Sequence, residues 1–292
     1  MSGPRTRQFE NRLFLGGMAS FGATYLLLIV AMVAADLQFT TADDVMQMLR
    51  DPYVRFSIGL SLLSCTASAI LATWFAVPTG YLLARWGPST NQGEVPRGPH
   101  LLKRFVETLF DIPVVLPPLV VGISLLVLFQ TPPGRWLDQG FGKWMAAMGL
   151  PEIQGITYEV PAVILAQFVV ATAFAIRIMR ATFESMDPEP EQVARVLGAT
   201  PGQAFSYIAL PQAWNGVVNA LTIAWARSLG EFGPILVFAG MTRMKTEVLS
   251  TTVYLNFSIG NLRGAVTASV LMLVLATGTL FGLQLLRNRS VT

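Results

Sequence analysis

Two opposite charges lie inside an apolar run of the sequence, at Arg227 and Glu231. A spacing of four residues places both side chains on one face of a helix, where they can form an ion pair. Each charge would cost about 2.5–3.5 kcal/mol at the centre of a bilayer, so the pair must face protein or water rather than lipid. Two interpretations stay open: the pair lines a pathway or gate, or it braces a helix bundle. Gly230 and Gly233 beside it would let another backbone approach closely.

Three prolines interrupt a second apolar run, at Pro113, Pro117 and Pro118. Proline lacks a backbone N–H and clashes with the preceding helical turn, so two in succession predict a kink. The kink is either a hinge or broken helix beside a pathway, or a static bend packed by its neighbours. Together the two runs supply the candidates for a pathway or gate: Pro117, Pro118, Arg227, Gly230, Glu231 and Gly233.

Other chemistry is largely excluded by residue counts. Cys65 is the only cysteine and His100 the only histidine, which argues against a disulfide, a His/Cys metal centre or a Ser-His-Asp triad. The sequence has no Gly-x-x-x-x-Gly-Lys-Ser/Thr motif, so no P-loop ATP site is expected. We therefore predict a chain that is not an enzyme, has no cofactor and does not bind nucleic acid.

The composition predicts an all-α membrane protein. Hydrophobic residues make up 53% of the 292 residues and charged residues 13%, against about 25% charged residues in soluble domains. The apolar residues form long runs, each near the roughly 20 residues that a spanning helix needs. About six spans are predicted, near residues 14–35, 56–86, 105–129, 160–181, 216–240 and 264–286. The first span could instead be a cleaved signal peptide, but its length favours a retained helix.

Loop charges predict the orientation of these spans. Basic residues collect before the first span, in the connection 87–104 and in the tail, as is typical of cytoplasmic loops. Both ends are therefore expected in the cytoplasm, with 1–13 and 287–292 flanking a membrane domain of 14–286. The last outer loop is also basic, with Arg243, Lys245 and Arg263; this is either without meaning or an attraction for anions. Arg177 and Arg180 near the inner end of span four are expected to be anchors at the membrane surface, although Arg177 could instead screen an anion.

The outer connection between spans three and four contains aromatic residues among polar ones. Trp136, Phe141 and Trp144 lie between Pro132 and Pro151. Residues 136–149 could form a short helix in the membrane interface. A packed lid with no membrane role is the alternative, and the sequence does not separate the two.

Residues 187–211 predict two short helices joined at a glycine. Asp187 is a good N-cap and Pro188 suits the first helical position, while Gly198 is a natural helix stop. Thr200-Pro201 repeats the start signal, and Leu210-Pro211 is expected to end the second helix.

This segment resembles the cytoplasmic EAA loop of ABC importer permeases, and we call it the coupling loop (187–211). Gly198, Ile208, Leu210 and Pro211 match the family spacing, with Gln192-Val193-Ala194 in the acid-Ala-Ala positions. The resemblance implies a type I permease fold and a coupling helix that docks on a separate ATP-hydrolysing subunit. The implied docking residues are Glu191, Gln192, Ala194, Arg195, Gly198, Ala199, Ala204, Ile208, Leu210 and Pro211.

Two further stretches narrow the resemblance. Val114–Gly122 and Ala226–Gly233 are similar to the third and fifth spans of molybdate and sulfate permeases, and Lys245-Thr246 matches a pair common in the molybdate type. The resemblance implies transport of an oxyanion, molybdate first and tungstate or sulfate next, across the inner membrane of a bacterial or archaeal cell. The implied partners are two ATPase copies, a second permease copy and a periplasmic binding protein. A permease for phosphate, iron or thiamine, or an ATP-independent transporter, are the alternatives.

Overall fold

The computed structural model describes residues 4–85, 100–149 and 153–289, which are helical without a strand in those ranges. The bulk of the basic connection predicted at 87–104, including Arg97, lies outside them. The helices are α1 Pro4–Phe39, α2 Ala42–Arg50, α3 Pro52–Arg85, α4 His100–Val115, α5 Pro118–Gln130, α6 Pro132–Ala147, α7 Val160–Glu184, α8 Glu189–Val196, α9 Pro201–Ala204, α10 Leu210–Gln212, α11 Trp214–Leu229, α12 Gly233–Phe238, α13 Leu249–Ser258 and α14 Leu262–Arg289.

Four helices in the described part are long and apolar enough to cross a membrane: Phe14–Phe39 in α1, then α3, α7, and Leu262–Leu283 in α14. The predicted third span is a bent pair, α4 and α5, whose axes differ by 110°. The predicted kink at Pro117 and Pro118 is therefore confirmed. Pro117 is extended, with ψ 135°, because the proline that follows a residue disfavours helical backbone at that residue.

The expectation of one helix over 216–240 is wrong. The α11 helix ends at Leu229 and α12 begins at Gly233, so the predicted fifth span is broken by three residues. Gly230 offers little helix propensity, and Pro234 supplies no N–H while fitting the start of a new helix. Both spans that carry pathway candidates are thus interrupted at those candidates.

The core is built by α3, α7 and α11, which pack side by side. Their contact surfaces are rich in small side chains, which let helix backbones approach closely in a membrane. Gly80 of α3 illustrates the fit, since a Cβ there would lie 2.7 Å from the Cβ of Met179. The fully buried alanines of this core are Ala69, Ala72, Ala76, Ala171, Ala175, Ala220 and Ala224.

The α1 helix lies at the edge of the bundle and packs along α14. Its apolar side chains are exposed from Phe14 onward, with Phe21 83% exposed. Such a surface suits contact with lipid rather than water. The coupling loop lies at the end of α3 that contains Arg85, and α2 lies at the opposite end of the molecule.

Candidate functional site

The first helix of the coupling loop begins and ends as its residue types indicate. Asp187 accepts a hydrogen bond from the N–H of Glu189 at 3.0 Å, and the helix begins at Glu189, one residue after the predicted Pro188. Gly198 closes it with φ +99°. A Cβ at Gly198 would meet no atom within 4 Å, so glycine is needed for the backbone conformation rather than for space. The predicted glycine corner is confirmed.

The second helix of the loop starts as predicted and continues through a π-turn. The Thr200 hydroxyl accepts from the Gln203 N–H, and the Gln203 side chain accepts from the Thr200 N–H, which forms a capping box. After α9, a π-turn over Phe205–Ala209 leads directly into α10. The α10 helix then ends at Gln212, one residue after the predicted stop at Leu210-Pro211. The N–H of Leu210 bonds the carbonyl of Phe205, and this widened turn relieves the clash that Pro211 would cause in a regular helix.

A buried carboxylate attaches the loop to the bundle. Glu191 is 7% exposed, and its oxygens lie 2.6 Å from Nη2 of Arg85 and 2.8 Å from the Tyr81 hydroxyl, which donates to it. Arg85 also donates to the carbonyl of Phe183 at 3.1 Å. Glu191 therefore ties α8 to α3 and to the end of α7. Among the docking candidates, Glu191 faces the chain itself and holds the loop in position.

The loop presents apolar side chains away from the bundle. Val193 is 51% exposed, Val196 88%, Leu197 83% and Tyr207 78%; we call these four residues the exposed apolar set. They contrast with Phe205, whose ring packs 4.7 Å from Tyr81. None of these four is among the docking residues that the resemblance implies, although all four lie within the coupling loop.

The remaining docking candidates divide by exposure. The side chains of Gln192, Arg195 and Pro211 are exposed, as is the backbone at Gly198, whereas those of Ala194, Ala199, Ile208 and Leu210 are half-buried and that of Ala204 is buried. A cluster of apolar side chains exposed to water marks an interaction surface. The loop thus has an inward side that holds it and an outward side that is free to contact another molecule.

The two broken spans meet at their breaks, which we call the break junction (116–122 and 227–235). A Cβ on Gly233 would lie 2.9 Å from the backbone nitrogen of Leu119. A Cβ on Gly122 would lie 2.8 Å from Cα of Pro234. Two glycines thus let α5 and α12 touch backbone to backbone. Gly230 has no such close neighbour, and its φ is −79°. Neither steric crowding nor backbone conformation therefore requires glycine at this position.

The predicted ion pair is confirmed within this junction. Nη2 of Arg227 lies 2.8 Å from Oε1 of Glu231, but the angle between the two groups does not suit a hydrogen bond. Glu231 is 1% exposed, whereas the guanidinium is partly exposed and lies 5.4 Å above the ring of Phe174. The pair does not share a helix face as expected, because Glu231 follows the end of α11.

A buried glutamine stabilises the break. The amide of Gln167 on α7 donates to the carbonyl of Ser228 at 3.2 Å and accepts from the hydroxyl of Ser68 at 3.2 Å. The carbonyl of Ser228 is one of the last four of α11, and it also accepts from the N–H groups of Gly230 and Glu231. Sequence reasoning missed Gln167, because nothing local marks a polar residue in a span as the partner of a distant helix end.

The arginines of span four are held by acidic residues. Arg177 lies 2.7 Å from Asp111 of α4, and Arg180 lies 3.2 Å from Glu107 and 2.7 Å from Glu184. The expectation of simple surface anchors is therefore incomplete, since these side chains also join α7 to α4.

The basic residues of the predicted last outer loop also have partners. Lys245 pairs with Glu159, and Arg263 lies 3.5 Å from Asp44. Arg243 lies 5.2 Å above the ring of Tyr53. These contacts favour the interpretation that the basic excess does not serve to attract anions.

The class of this helical bundle, with two interrupted spans and a two-helix loop at one end, is shown by a protein-family model to be that of transport permeases. The family model described as binding-protein-dependent transport system inner membrane component matches residues 96–292. The chain belongs to this family. It is therefore a multi-pass inner-membrane permease subunit, and ATP hydrolysis in such transporters is the task of a separate subunit.

Individual proteins agree with this assignment. The chain is 32% identical to the molybdate/tungstate transport system permease protein WtpB of Thermococcus kodakarensis, over 91% of this chain and 93% of that one. It is 26% identical to the sulfate transport system permease protein CysT of Escherichia coli, over 95% and 92%. Molybdenum transport system permease protein ModB of Mycobacterium tuberculosis is 32% identical, over 80% of each chain.

Solved structures agree on the fold. A chain of a bacterial alginate ABC transporter in complex with its periplasmic protein superposes with TM-score 0.69 at 17% identity, covering 97% of this chain and 96% of that one. A chain of the MetNI methionine ABC transporter superposes with TM-score 0.61 at 21% identity, covering 86% and 99%. The predicted type I importer permease fold is confirmed.

Proposed function

We propose that this chain translocates an oxyanion in an ATP-driven importer, with molybdate as the first candidate and tungstate or sulfate as the others. The substrate class rests on the relatives named for molybdate/tungstate, molybdenum and sulfate transport. Another solute, such as phosphate, iron or thiamine, is the second candidate. It is favoured by one observation: transporters of alginate and methionine share the fold, so the fold does not restrict the solute.

The coupling loop carries the ATP-driven part of the proposal. Its exposed apolar set lies on both sides of the left-handed glycine Gly198, on and directly after α8 and in the π-turn that follows α9. The Arg85–Glu191 pair fixes this unit to α3 from behind. A docking element must be apolar enough to bind its partner and stiff enough to pass a displacement on to the spans. Both properties are present in the loop, so we assign it the role of docking on the ATPase subunit.

The orientation follows from that assignment, and the stoichiometry is the one that the resemblance to ABC importer permeases implies. The coupling loop and both termini lie in the cytoplasm, with 1–13 and 287–292 flanking a permease domain of 14–286. A second copy of the chain completes the pathway, and each copy binds one ATPase subunit. The periplasmic binding protein docks at the opposite end, where α2 and the connection before α13 lie.

The break junction is the proposed gate. Pro117 and Pro118 are exposed at the start of α5, and Gly233 packs behind them against α5. Backbone freed by broken helices is tolerated in a membrane only where it faces protein or a water-filled path. Arg227 and Glu231 brace the junction rather than bind the anion, because a buried carboxylate repels a dianion.

The proposal is tested by replacing the glycine of the corner. Alanine at a left-handed position costs about 1–2 kcal/mol, so Gly198→Ala should alter the angle between the two helices of the loop. We expect a several-fold loss of ATP-driven molybdate uptake into vesicles that contain the chain, its ATPase and its binding protein. Gly202→Ala is the matched control, since this helical glycine also has free space around its Cβ and should transport normally.

Two results would overturn parts of the proposal. Equal uptake by the Gly198 and Gly202 variants would remove the coupling role of the corner. Uptake that molybdate, tungstate and sulfate all fail to compete for would remove the oxyanion assignment and leave the permease assignment standing.

A further inference from the structure

The α6 helix, at the end of the molecule opposite the coupling loop, has three different faces. At about 100° per residue, its side chains divide into three sectors around the axis. One sector contains Gly134, Asp138 and Gly142 and packs on the protein. The second is exposed and polar, and the third is exposed and apolar. A helix between protein and water alone would need two sectors rather than three.

The protein-facing sector fixes α6 rigidly to the ends of two spans. Thr131 both ends α5 and caps α6. A Cβ on Gly134 would lie 2.1 Å from the carbonyl oxygen of Leu128, and one on Gly142 would lie 2.1 Å from that of Gln154. The α6 helix therefore folds back directly onto the last turn of α5, with residue 154 crossing its far end.

One carboxylate completes the attachment. Asp138 accepts from the N–H groups of Ile156 and Thr157 at 2.7 and 2.9 Å, just before α7 begins. The depth of α6 relative to the bilayer is thus set by the end of one span and the start of another. Span ends lie at the boundary between hydrocarbon and headgroups, so α6 lies at that boundary.

The apolar sector is large and aromatic. Trp136 is 73% exposed, Leu137 52%, Trp144 53% and Met148 61%. Trp136, Leu137 and Trp144 line an open apolar groove of about 440 Å³ together with Ile156. Tryptophan is enriched at membrane–water interfaces, where its ring lies among the headgroups. A surface of this composition is unfavourable in water.

The remaining sector suits the headgroup side of a bilayer. Arg135, Gln139 and Lys143 are all exposed and fall between the protein-facing and apolar sectors. Basic side chains on the polar face of an amphipathic helix are attracted to lipid phosphates. Apolar side chains are also exposed at the adjoining end of α5, where Val127 is 58% and Leu128 53% exposed.

We propose that α6 is an interfacial helix that lies in the headgroup layer, with Trp136, Leu137, Trp144 and Met148 in contact with phospholipid. It anchors the junction of α5 and α7 at a fixed depth. The occupant of the groove is therefore lipid, rather than a soluble protein or a second copy of this chain.

The test uses spin labels on single introduced cysteines in the complete transporter, reconstituted in bilayer nanodiscs. Leu137→Cys reports the apolar sector and Gln139→Cys the polar one, while Leu63→Cys on α3 gives a reference within a span. Cys65 is fully buried, so the unsubstituted chain is the unlabelled control. We expect the label at 137 to collide with oxygen more than with a water-soluble nickel complex, and to lie at a shallower depth than the label at 63. The label at 139 should collide more with the nickel complex than with oxygen.

Two outcomes would overturn the proposal. A label at 137 that is as open to nickel as the one at 139 would show that the sector faces water and awaits a soluble partner. A label at 137 shielded from both reagents would show that a second copy covers it.

A second measurement avoids new cysteines. Lipids brominated near the headgroup should quench the fluorescence of the wild type more than that of a Trp136→Phe/Trp144→Phe variant. A Trp74→Phe control removes an exposed tryptophan of α3 and should keep this shallow quenching. Equal shallow quenching of the wild type and the double variant would contradict contact between α6 and lipid.

Discussion

Two of the Arg–Glu pairs in the described part of the chain differ in what they hold. Arg85 and Glu191 join α3 to the coupling loop across 106 residues of sequence, with the Tyr81 hydroxyl as a third member. Arg227 and Glu231 are four residues apart, and the buried carboxylate has poor hydrogen-bond geometry. The first pair connects the coupling loop to a separate helix, whereas the second neutralises a charge within the break junction. In the proposed function, the same chemistry serves transmission in one region and bracing in the other.

The largest effect is expected from breaking the long-range pair. Glu191→Leu removes the charge and the acceptor of two hydrogen bonds, which costs several kcal/mol when the remaining partner is partly buried. Uptake per ATP hydrolysed should fall by more than tenfold, because the loop would no longer move with α3. Glu189→Leu is the control, since this acid is exposed on the same helix. Normal coupling in the Glu191 variant would show that the pair is dispensable.

The next effect concerns the contact between the two broken spans. Gly233→Ala places a methyl group 2.9 Å from the backbone nitrogen of Leu119, so α5 and α12 must separate. Overpacking of this kind costs about 1–3 kcal/mol, and a lower thermal unfolding temperature in detergent would measure it. Gly230→Ala is matched in chemistry but has no close neighbour beyond its own helix. If the two variants had the same thermal unfolding temperature, the breaks would not depend on this contact.

The local pair separates bracing from substrate contact. Arg227→Met should destabilise the fold, because it leaves the carboxylate of Glu231 buried and unpaired. Adding Glu231→Gln removes that charge, so we expect the double variant to recover both stability and uptake. Thermal unfolding and vesicle uptake measure the two properties separately. A double variant that is stable yet transports poorly would assign Arg227 to the pathway.

The smallest effect comes from a buried acid that has no arginine hydrogen-bonded to it. Burial raises the pKa of Glu247 above its ordinary value of 4.5, against the opposing hydrogen bond from Thr252 and the charge of Arg243. Between pH 4.5, the ordinary pKa that applies in the unfolded state, and the raised pKa of the folded state, the folded state binds more protons than the unfolded state. Stability therefore falls as pH rises through this range. Glu247→Gln should remove this dependence. The unfolding temperatures of wild type and variant should therefore diverge as pH increases above 4.5; parallel curves would contradict a raised pKa.

The sequence allowed much of the coupling loop to be predicted, because its signals are local. Caps at Asp187 and Thr200 and the corner at Gly198 depend on neighbours a few residues away. The continuation through Pro211 was not predicted, because it depends on the π-turn before it. The inward orientation of Glu191 was missed for a different reason: its partner is on another helix.

What the sequence by itself determined is the membrane character, the apolar segments, the glycine corner and the spacing of Arg227 and Glu231. Each follows from hydrophobicity or from contacts within a helical turn. Only the tertiary structure decided that Gly122 and Gly233 bring two broken spans together, that Gln167 supports the end of α11, and that Arg85 holds Glu191. The physical reason is that these contacts join residues tens to more than a hundred positions apart, and such pairs become neighbours only when helices pack.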